Sequence, residues 1–288
     1  MGHPATSADL GGLVNFICSC GQRRNSGLAR CFFLLLAVVM LAPATPAQNF
    51  DKKAVIKQAR QAYYSLKDQG LADFQCGLTP NWRSLLNEQK LDAETVNRAS
   101  ALLDKIHFSM TLPAAGNAQV THNEVSADNP QAAEGLKQIY SGMEQMTTGF
   151  FQTWSAFSMT PALPEIAGDY QLEKTGNEYR LTYKDGAADI VTMFDQNFAI
   201  TYLKTTAPEF DSTMRPKFMK TPKGLLLSGY SATYAGKSAA DTTELQVAID
   251  YQEVDTLQLP QRLDLKGSYG GSPFHVEVTF AECHATRR

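Results

Sequence analysis

The chain has 288 residues, a formal net charge of −3 at neutral pH and a hydrophobic content of 43%. This composition is typical of a globular protein and excludes a disordered chain, which carries fewer apolar side chains. Beyond the first 47 residues the sequence contains no run of lysine or arginine, so we expect no nucleic-acid partner.

The N-terminal region has the features of an export signal. Basic residues up to Arg30 precede an apolar run at residues 31–41, and small residues follow at 42–47. A basic flank, a short apolar core and an A-x-A-like end are the parts of a secretory signal peptide, whereas a membrane-spanning helix needs about 20 apolar residues. We therefore predict that residues 1–47 are cleaved and that residues 48–288 form a single exported domain. The mature protein is then periplasmic or secreted and does not span the membrane.

Three helices are predicted in the first half of the mature chain. The first begins at Asn49 or Asp51 and ends at Gly70, and the second covers residues 92–105. The third covers residues 131–157, where apolar side chains recur at steps of three and four. This aromatic stripe consists of Leu136, Ile139, Tyr140, Met143, Met146, Phe150, Trp154 and Phe157. Such a stripe packs into a core or lines a cavity, and methionine with aromatic side chains suits a deformable apolar ligand.

Short alternating segments dominate the second half of the chain and predict β-strands. Turn residues such as Asp185-Gly186 and Gly270-Gly271 separate them, which is typical of hairpins. The predicted strands are 71–78, 106–112, 117–125, 170–174, 178–184, 188–194, 198–205, 224–234, 243–254, 261–269 and 275–283. Because no crossover helix fits between the later strands, we predict an antiparallel sheet and an α+β fold. Residues 208–222, rich in proline and charge, are predicted to form a loop.

Two cysteines, Cys76 and Cys283, remain once the signal peptide is removed. In an oxidising compartment an even pair predicts a disulfide, and the alternative is two unpaired thiols, one of them buried.

Catalytic and metal-binding motifs do not emerge from the remaining residues. On a strand, His275 and Glu277 share one face with Cys283, but zinc sites need three or four ligands in tighter groupings. The sequence contains neither H-E-x-x-H nor C-x-x-C, and it lacks the G-x-S-x-G of a nucleophile elbow. We therefore predict no metal, no cofactor and no enzymatic activity.

Residues 251–280, YQEVDTLQLPQRLDLKGSYGGSPFHVEVTF, place an acidic strand before a Leu-Pro turn, a hairpin and a last strand. With the export signal and the opening helix, this layout resembles the periplasmic lipoprotein-carrier (LolA/LolB-like) superfamily. The resemblance implies a curved antiparallel sheet, an open half-barrel with helices packed on its concave face, that holds acyl chains between the two layers. The helical portion around residues 92–157 has no counterpart in that pattern.

We therefore expect an exported, non-enzymatic protein that binds an apolar ligand such as a lipid or the acyl chain of a lipoprotein. The residues expected to line the groove are Met143, Met146, Phe150, Trp154 and Phe157 on the helix, and Phe194, Tyr202 and Leu226 on the sheet. One alternative is an envelope scaffold or assembly protein that uses the same stripe, or the edge of the sheet, to bind another protein. The other is a hydrolase whose site has no readable motif.

Overall fold

The structure is a computed structural model that describes residues 50–87, 91–127, 129–166, 168–236 and 242–288. The predicted signal peptide, residues 1–47, lies outside the described residues. The described residues form four helices and a sheet of twelve strands. The prediction of a sheet-dominated α+β fold is therefore confirmed in its broad form.

The helices are α1 (Lys52–Gln61), α2 (Trp82–Asn87), α3 (Ala93–Leu103) and α4 (Pro130–Ser158). The strands are β1 (Leu71–Pro80), β2 (Phe108–Pro113), β3 (Gln119–His122), β4 (Tyr170–Thr175), β5 (Glu178–Asp185), β6 (Ala188–Asp195), β7 (Ile200–Thr206), β8 (Phe210–Thr221), β9 (Gly224–Gly236), β10 (Thr242–Val254), β11 (Leu257–Tyr269) and β12 (Ser272–Arg287). Asp51, Asp92 and Asn129 begin α1, α3 and α4 because their side chains accept hydrogen bonds from backbone N–H groups of the first turn.

All strands belong to one antiparallel sheet with the order β3-β2-β1-β12-β11-β10-β9-β8-β7-β6-β5-β4. From β4 to β12 each strand pairs with the next one in sequence, which confirms the predicted meander. The hairpin turns at Gly176, Gly186 and Gly270-Gly271 have positive φ angles, which glycine adopts without steric cost. The sheet does not close, and β3 and β4 are its two edges.

Strand β1, the first strand of the sheet, lies beside β12, the last one, and so brings the beginning and the end of the described chain together. It lies between β2 and β12 and pairs antiparallel with both. Cys76 of β1 and Cys283 of β12 lie at disulfide distance, as predicted, with their Cα atoms 4.2 Å apart. This pairing of the first and last strands was not foreseen, because nothing in the local pattern of either strand specifies a distant partner.

Helix α4 follows edge strand β3 and leads to edge strand β4, and its 29 residues span about 43 Å. Near the start of the helix, Tyr140 stacks on His122 of β3, with ring centroids 3.8 Å apart. Near its end, Phe157 lies 6.1 Å from Phe218 of β8, again measured between ring centroids. The helix therefore packs against successive strands of the sheet, with its apolar face buried along the way.

The deepest contact of α4 is a hydrogen-bonded chain centred on Trp154. The indole Nε1–H donates to the Tyr251 hydroxyl of β10 at 2.9 Å, and that hydroxyl donates to the Leu227 carbonyl of β9. Burial raises the pKa of the Tyr251 hydroxyl, so it remains a neutral donor at physiological pH. The chain satisfies both buried polar groups and fixes α4 to two neighbouring strands.

Residues 208–222, predicted as a loop, form strand β8 instead. Met214 and Pro216 are buried whereas Arg215 and Lys217 are exposed, so the alternation of a strand is present. The prediction was wrong because proline was treated as a strand breaker. Pro216 precedes a register shift between β8 and β9 that begins at Lys217, a position where a missing N–H is tolerated.

The first helix is also shorter than predicted, because α1 ends at Gln61 rather than at Gly70. The chain leaves the helix where the Tyr64 N–H donates to the Leu225 carbonyl at 2.9 Å and the Leu225 N–H donates to the Ala62 carbonyl at 2.8 Å. A Cβ atom at Gly224 would lie 2.7 Å from the backbone of Tyr63, so this close approach requires glycine.

Two further differences concern local connections. Helix α2 was not predicted, since six residues are too few to show a helical period. The turn after β10 lies at Asp255-Thr256, both with positive φ angles, and not at Leu259-Pro260, which belongs to β11. Arg287 holds this turn by donating to the Asp255 carbonyl and to the Thr256 hydroxyl.

Reduction of the Cys76–Cys283 bond is expected to lower the free energy of unfolding by up to about 5 kcal/mol, because the bond closes a loop with a sequence separation of 207. Urea unfolding with and without dithiothreitol measures the change. The control is the double variant Cys76→Ala/Cys283→Ala, whose midpoint should not respond to the reductant. Equal midpoints for the oxidised and reduced wild type would contradict the prediction.

The variant Tyr251→Phe is expected to lose about 2–3 kcal/mol of unfolding free energy, because the Trp154 N–H and the Leu227 carbonyl then lack their partner. Tyr202→Phe is the matched control. Its ring packs on Arg215 from outside the core, and removing its hydroxyl should change stability by less than about 0.5 kcal/mol. Equal losses of unfolding free energy in the two variants would contradict a stabilising role of the hydrogen bonds that join Trp154, Tyr251 and Leu227.

Candidate functional site

The helical residues predicted to line a groove are mostly packed into the core. Trp154 is fully buried, and Phe150 and Phe157 are 2% and 4% exposed. Met143 is buried as well, whereas Met146 is half-buried. These side chains contact the sheet directly, as shown by the ring centroids of Phe150 and Phe280, which lie 6.2 Å apart. They therefore fill the space between α4 and the sheet.

The three predicted sheet residues are not brought together. Phe194 is fully buried and stacks on Tyr179 of β5, with ring centroids 5.1 Å apart. Leu226 is fully buried in β9. Tyr202 lies opposite Met193 in the register and carries the Arg215 guanidinium over its ring at 5.0 Å. Since Met193 and Phe194 are consecutive in β6, Tyr202 lies on the face of the sheet opposite to Phe194.

An apolar cleft lies beside this packed core, between α1 and the segment that follows α4. We call it the α1 cleft, and its volume is about 630 Å³. Its apolar lining consists of Ile56, Tyr63, Pro161, Ile166 and Tyr170. This volume lies within the range of sites that hold one small ligand.

The end of α4 positions the walls of the α1 cleft. The backbone N–H groups of Leu66 and Lys67 donate to the carbonyls of Ser158 and Met159 at 2.9 and 3.0 Å, which ties the chain after α1 to the last turn of α4. Tyr63 then connects cleft and core. Its ring lies 5.3 Å from that of Phe218, the same ring that Phe157 contacts.

Tyr63 forms a fixed part of the cleft lining. Its hydroxyl donates to the Phe198 carbonyl and accepts the Ile200 N–H at 2.9 Å. These two hydrogen bonds hold the ring in one orientation, and burial raises the pKa of the hydroxyl, so it stays a protonated donor. The apolar face of a ring that cannot turn gives the cleft a preformed wall.

Charged side chains line the same cleft. Lys53, Lys57 and Arg60 of α1 line the cleft together with Asp68 and Glu165. The Arg60 Nη2 atom lies 3.4 Å from the Glu165 carboxylate, whose side chain is 91% exposed. The cleft lining therefore combines five apolar residues with three positive and two negative side chains.

Sequence reasoning missed the α1 cleft, although a signal was present. Lys53, Lys57 and Arg60 recur at steps of four and three, so they occupy one face of α1 next to Ile56. The lysines were set aside because they lie off the buried stripe of the first helix. Ile166 and Tyr170 follow α4 outside any periodic segment, and only the fold brings them to α1.

A second group of polar side chains lies on paired strands β11 and β12. Asp264 lies opposite Glu277 in the register, and the His275 Nε2 atom lies 2.8 Å from the Asp264 carboxylate and 3.7 Å from that of Glu277. One ligand atom of each of these three residues falls within 4.8 Å of the others, which is close enough to suggest a metal site. We call this group the β11–β12 cluster.

The carboxylates of the β11–β12 cluster also form ion pairs. Arg262 contacts Glu277 at 2.9 Å, and Lys266 contacts Asp264 at 3.6 Å, so each carboxylate has a cationic neighbour. The cluster also lacks the cysteine that strand parity predicts for this face. Glu282, with φ at 52°, interrupts the β1–β12 ladder, and Cys283 turns to Cys76 instead.

Comparison with family models, curated proteins and solved structures finds no match to this chain. In the part of the chain that the structure describes, no helix combines the length and the apolar character that a bilayer crossing requires. The geometry of the residues themselves therefore carries the functional inference.

The variant Glu277→Gln is expected to destabilise the protein at neutral pH and to lose this effect in acid. Hydrogen bonds from Asn81 and Arg262 lower the pKa of the Glu277 carboxyl. A lowered pKa in the folded state contributes stability above the unfolded value of about 4.3, and this contribution disappears as the pH falls through the folded value. Urea midpoints of variant and wild type should therefore converge below about pH 4.

The matched control for this prediction is Glu173→Gln on edge strand β4, where the side chain is exposed. Its urea midpoints should follow those of the wild type at every pH. A constant offset between Glu277→Gln and wild type from pH 7 to pH 3 would contradict the ionic origin of the effect.

Proposed function

We propose that the mature chain is an exported, non-enzymatic protein that holds a lipid, or the acyl chain of a lipoprotein, in the α1 cleft. The observation that carries this proposal is the preformed apolar lining of Ile56, Tyr63, Ile166 and Tyr170 beside an otherwise densely packed core. Export to the periplasm or the outside of the cell belongs to the same proposal. It is supported by the signal-peptide pattern of residues 1–47 and by the Cys76–Cys283 pair.

The finer architecture is part of the proposal too. An open sheet whose two edge strands, β3 and β4, are linked by the long helix α4 is compatible with a half-barrel that curves around that helix. In such an arrangement α4 occupies the concave side and α1 closes one end. The ligand then lies between α1 and the end of α4, rather than along the aromatic stripe, whose side chains already contact the sheet.

The energetics of the cleft suit an acyl chain. Each methylene that moves from water into an apolar site contributes about 0.8 kcal/mol, so five or six buried methylenes supply about 4–5 kcal/mol before the costs of ordering the chain. Ile56, Ile166 and Tyr170 are only partly buried without a ligand, so a bound chain would remove additional apolar surface from water. Binding and release then need no chemical step.

The test is a binding titration with Nile red, an uncharged apolar dye, on the purified mature protein. The variant Ile166→Glu introduces a charge into the apolar lining and is expected to weaken dye binding at least tenfold, since burying an unpaired carboxylate is costly. Val120→Glu is the matched control, because Val120 is a partly buried residue of edge strand β3, away from the cleft.

The control variant should bind the dye as tightly as the wild type. Absence of saturable dye binding to the wild type, or equal losses in the two variants, would contradict the proposal. In that case the envelope scaffold, which binds another protein through the sheet edges, becomes the better explanation.

A further inference from the structure

We propose that the natural ligand of the α1 cleft is a single-chain amphiphile with an anionic end, of the class of long-chain fatty carboxylates. Lys53, Lys57 and Arg60 hold the anionic group, and the chain lies on Ile56 and Ile166. The inference rests on the proposed function, because it names the charge of a ligand whose apolar part the cleft is proposed to bind.

The placement of the cations supports this inference. Lys53, Lys57 and Arg60 lie at steps of four and three along α1 and all line the cleft, whereas Lys52 of the same helix does not. Ile56 lies among them on the same helical face. An amphiphile that follows this face therefore meets apolar carbon and positive charge within one or two helical turns.

Two of the three cations of the cleft lining form no ion pair with any residue that the structure describes. Among the described residues, neither Lys53 nor Lys57 has a carboxylate within 4.0 Å, and Arg60 contacts only Glu165. That contact is weak, since the Glu165 side chain is 91% exposed and solvent screens the pair. An anion between the three cations would give Lys53 and Lys57 an ionic partner that the described residues do not provide.

Arg60 adds an independent observation. Its Nη1 atom is buried and has no hydrogen-bond partner among the described residues. A buried guanidinium N–H without an acceptor is unfavourable, and such atoms are rare in native proteins. The other terminal nitrogen, Nη2, contacts only the exposed Glu165 carboxylate at 3.4 Å, so the protein leaves this guanidinium short of acceptors and a ligand carboxylate in the cleft can bind at Nη2.

The lining of the cleft selects the class of amphiphile. The α1 cleft is open to solvent and its apolar lining consists of only five residues, so we infer one acyl chain rather than the two of a phospholipid. The carboxylate and the phosphate share the chemistry that Lys and Arg recognise. We commit to the carboxylate, because a lining of three cations and two carboxylates suits a singly charged anion better than a doubly charged one, and we include the phosphate as an arm of the test.

The test compares laurate with 1-dodecanol, which has the same chain length and no charge, by isothermal titration calorimetry at pH 8 and low salt. Dodecyl phosphate is the third ligand. For the wild type we expect laurate to bind at least tenfold more tightly than dodecanol. The variant Lys53→Gln/Lys57→Gln should lose at least fivefold in laurate affinity and keep its affinity for dodecanol.

The matched control is Lys52→Gln/Lys67→Gln, which removes the same charge from two exposed lysines that do not line the cleft. It should bind both ligands like the wild type. Glu165→Gln removes the competing carboxylate from Arg60 and is expected to tighten laurate binding two- to fivefold. Thermal unfolding of each variant without ligand checks that it is folded.

The outcomes separate this inference from the proposed function. Equal affinity of the wild type for laurate and dodecanol would overturn the inference and leave the apolar site intact. Saturable binding of neither ligand would overturn the proposed function itself. Tighter binding of dodecyl phosphate than of laurate would overturn the carboxylate as the preferred anionic group in favour of a phosphate. Equal losses of laurate affinity in the Lys53→Gln/Lys57→Gln and Lys52→Gln/Lys67→Gln variants would also overturn the inference, because they would show non-specific electrostatic attraction only.

Discussion

The structure depends above all on the burial of one face of α4 against the sheet. Trp154 is fully buried at the centre of this contact, and its N–H is satisfied through Tyr251. Burial of each aromatic side chain contributes about 1.5–3 kcal/mol, and the stripe contains several of them. Because the helix lies in sequence between the two edge strands, its packing also fixes where both edges of the sheet lie.

This dense contact decides where a ligand has room. Along the aromatic stripe the side chains already fill the space between helix and sheet. Near the end of α4 the ring of Phe157 contacts that of Phe218, which in turn contacts Tyr63. Beyond that point the chain leaves the helix at Ser158, and the packing opens into the α1 cleft. Contacts between aromatic rings therefore join the core to the α1 cleft. The core contributes to stability, whereas the cleft remains accessible to solvent.

The sequence predicted those elements whose signals are local. The stripe of α4, the glycine turns of the meander and the pairing of Cys76 with Cys283 all follow from short-range patterns or from simple counting, and the structure agrees with them. Strand β8 was missed because Pro216 is tolerated only through its place beside a bulge. The insertion of β1 next to β12 depends on contacts more than 200 residues apart along the chain, which no window of sequence contains.

The candidate site was predicted less well than the fold, for a physical reason. Apolar periodicity marks residues that are buried, and the stripe is buried so completely that it serves the core. A binding cleft instead needs residues that are only partly covered, such as Ile56 and Ile166, and these carry no periodic signal of their own. The spacing of Lys53, Lys57 and Arg60 was readable, but its meaning depends on Ile166 and Tyr170 lying opposite.

The most direct test of the central claim is mass spectrometry of the mature protein, purified without detergent from the cells that export it and extracted with organic solvent. We expect about one single-chain anionic lipid per protein molecule, and much less in the Ile166→Glu variant prepared in the same way. A wild-type protein that is empty, under conditions where a known lipid carrier retains its ligand, would contradict the assignment of the α1 cleft as a lipid site.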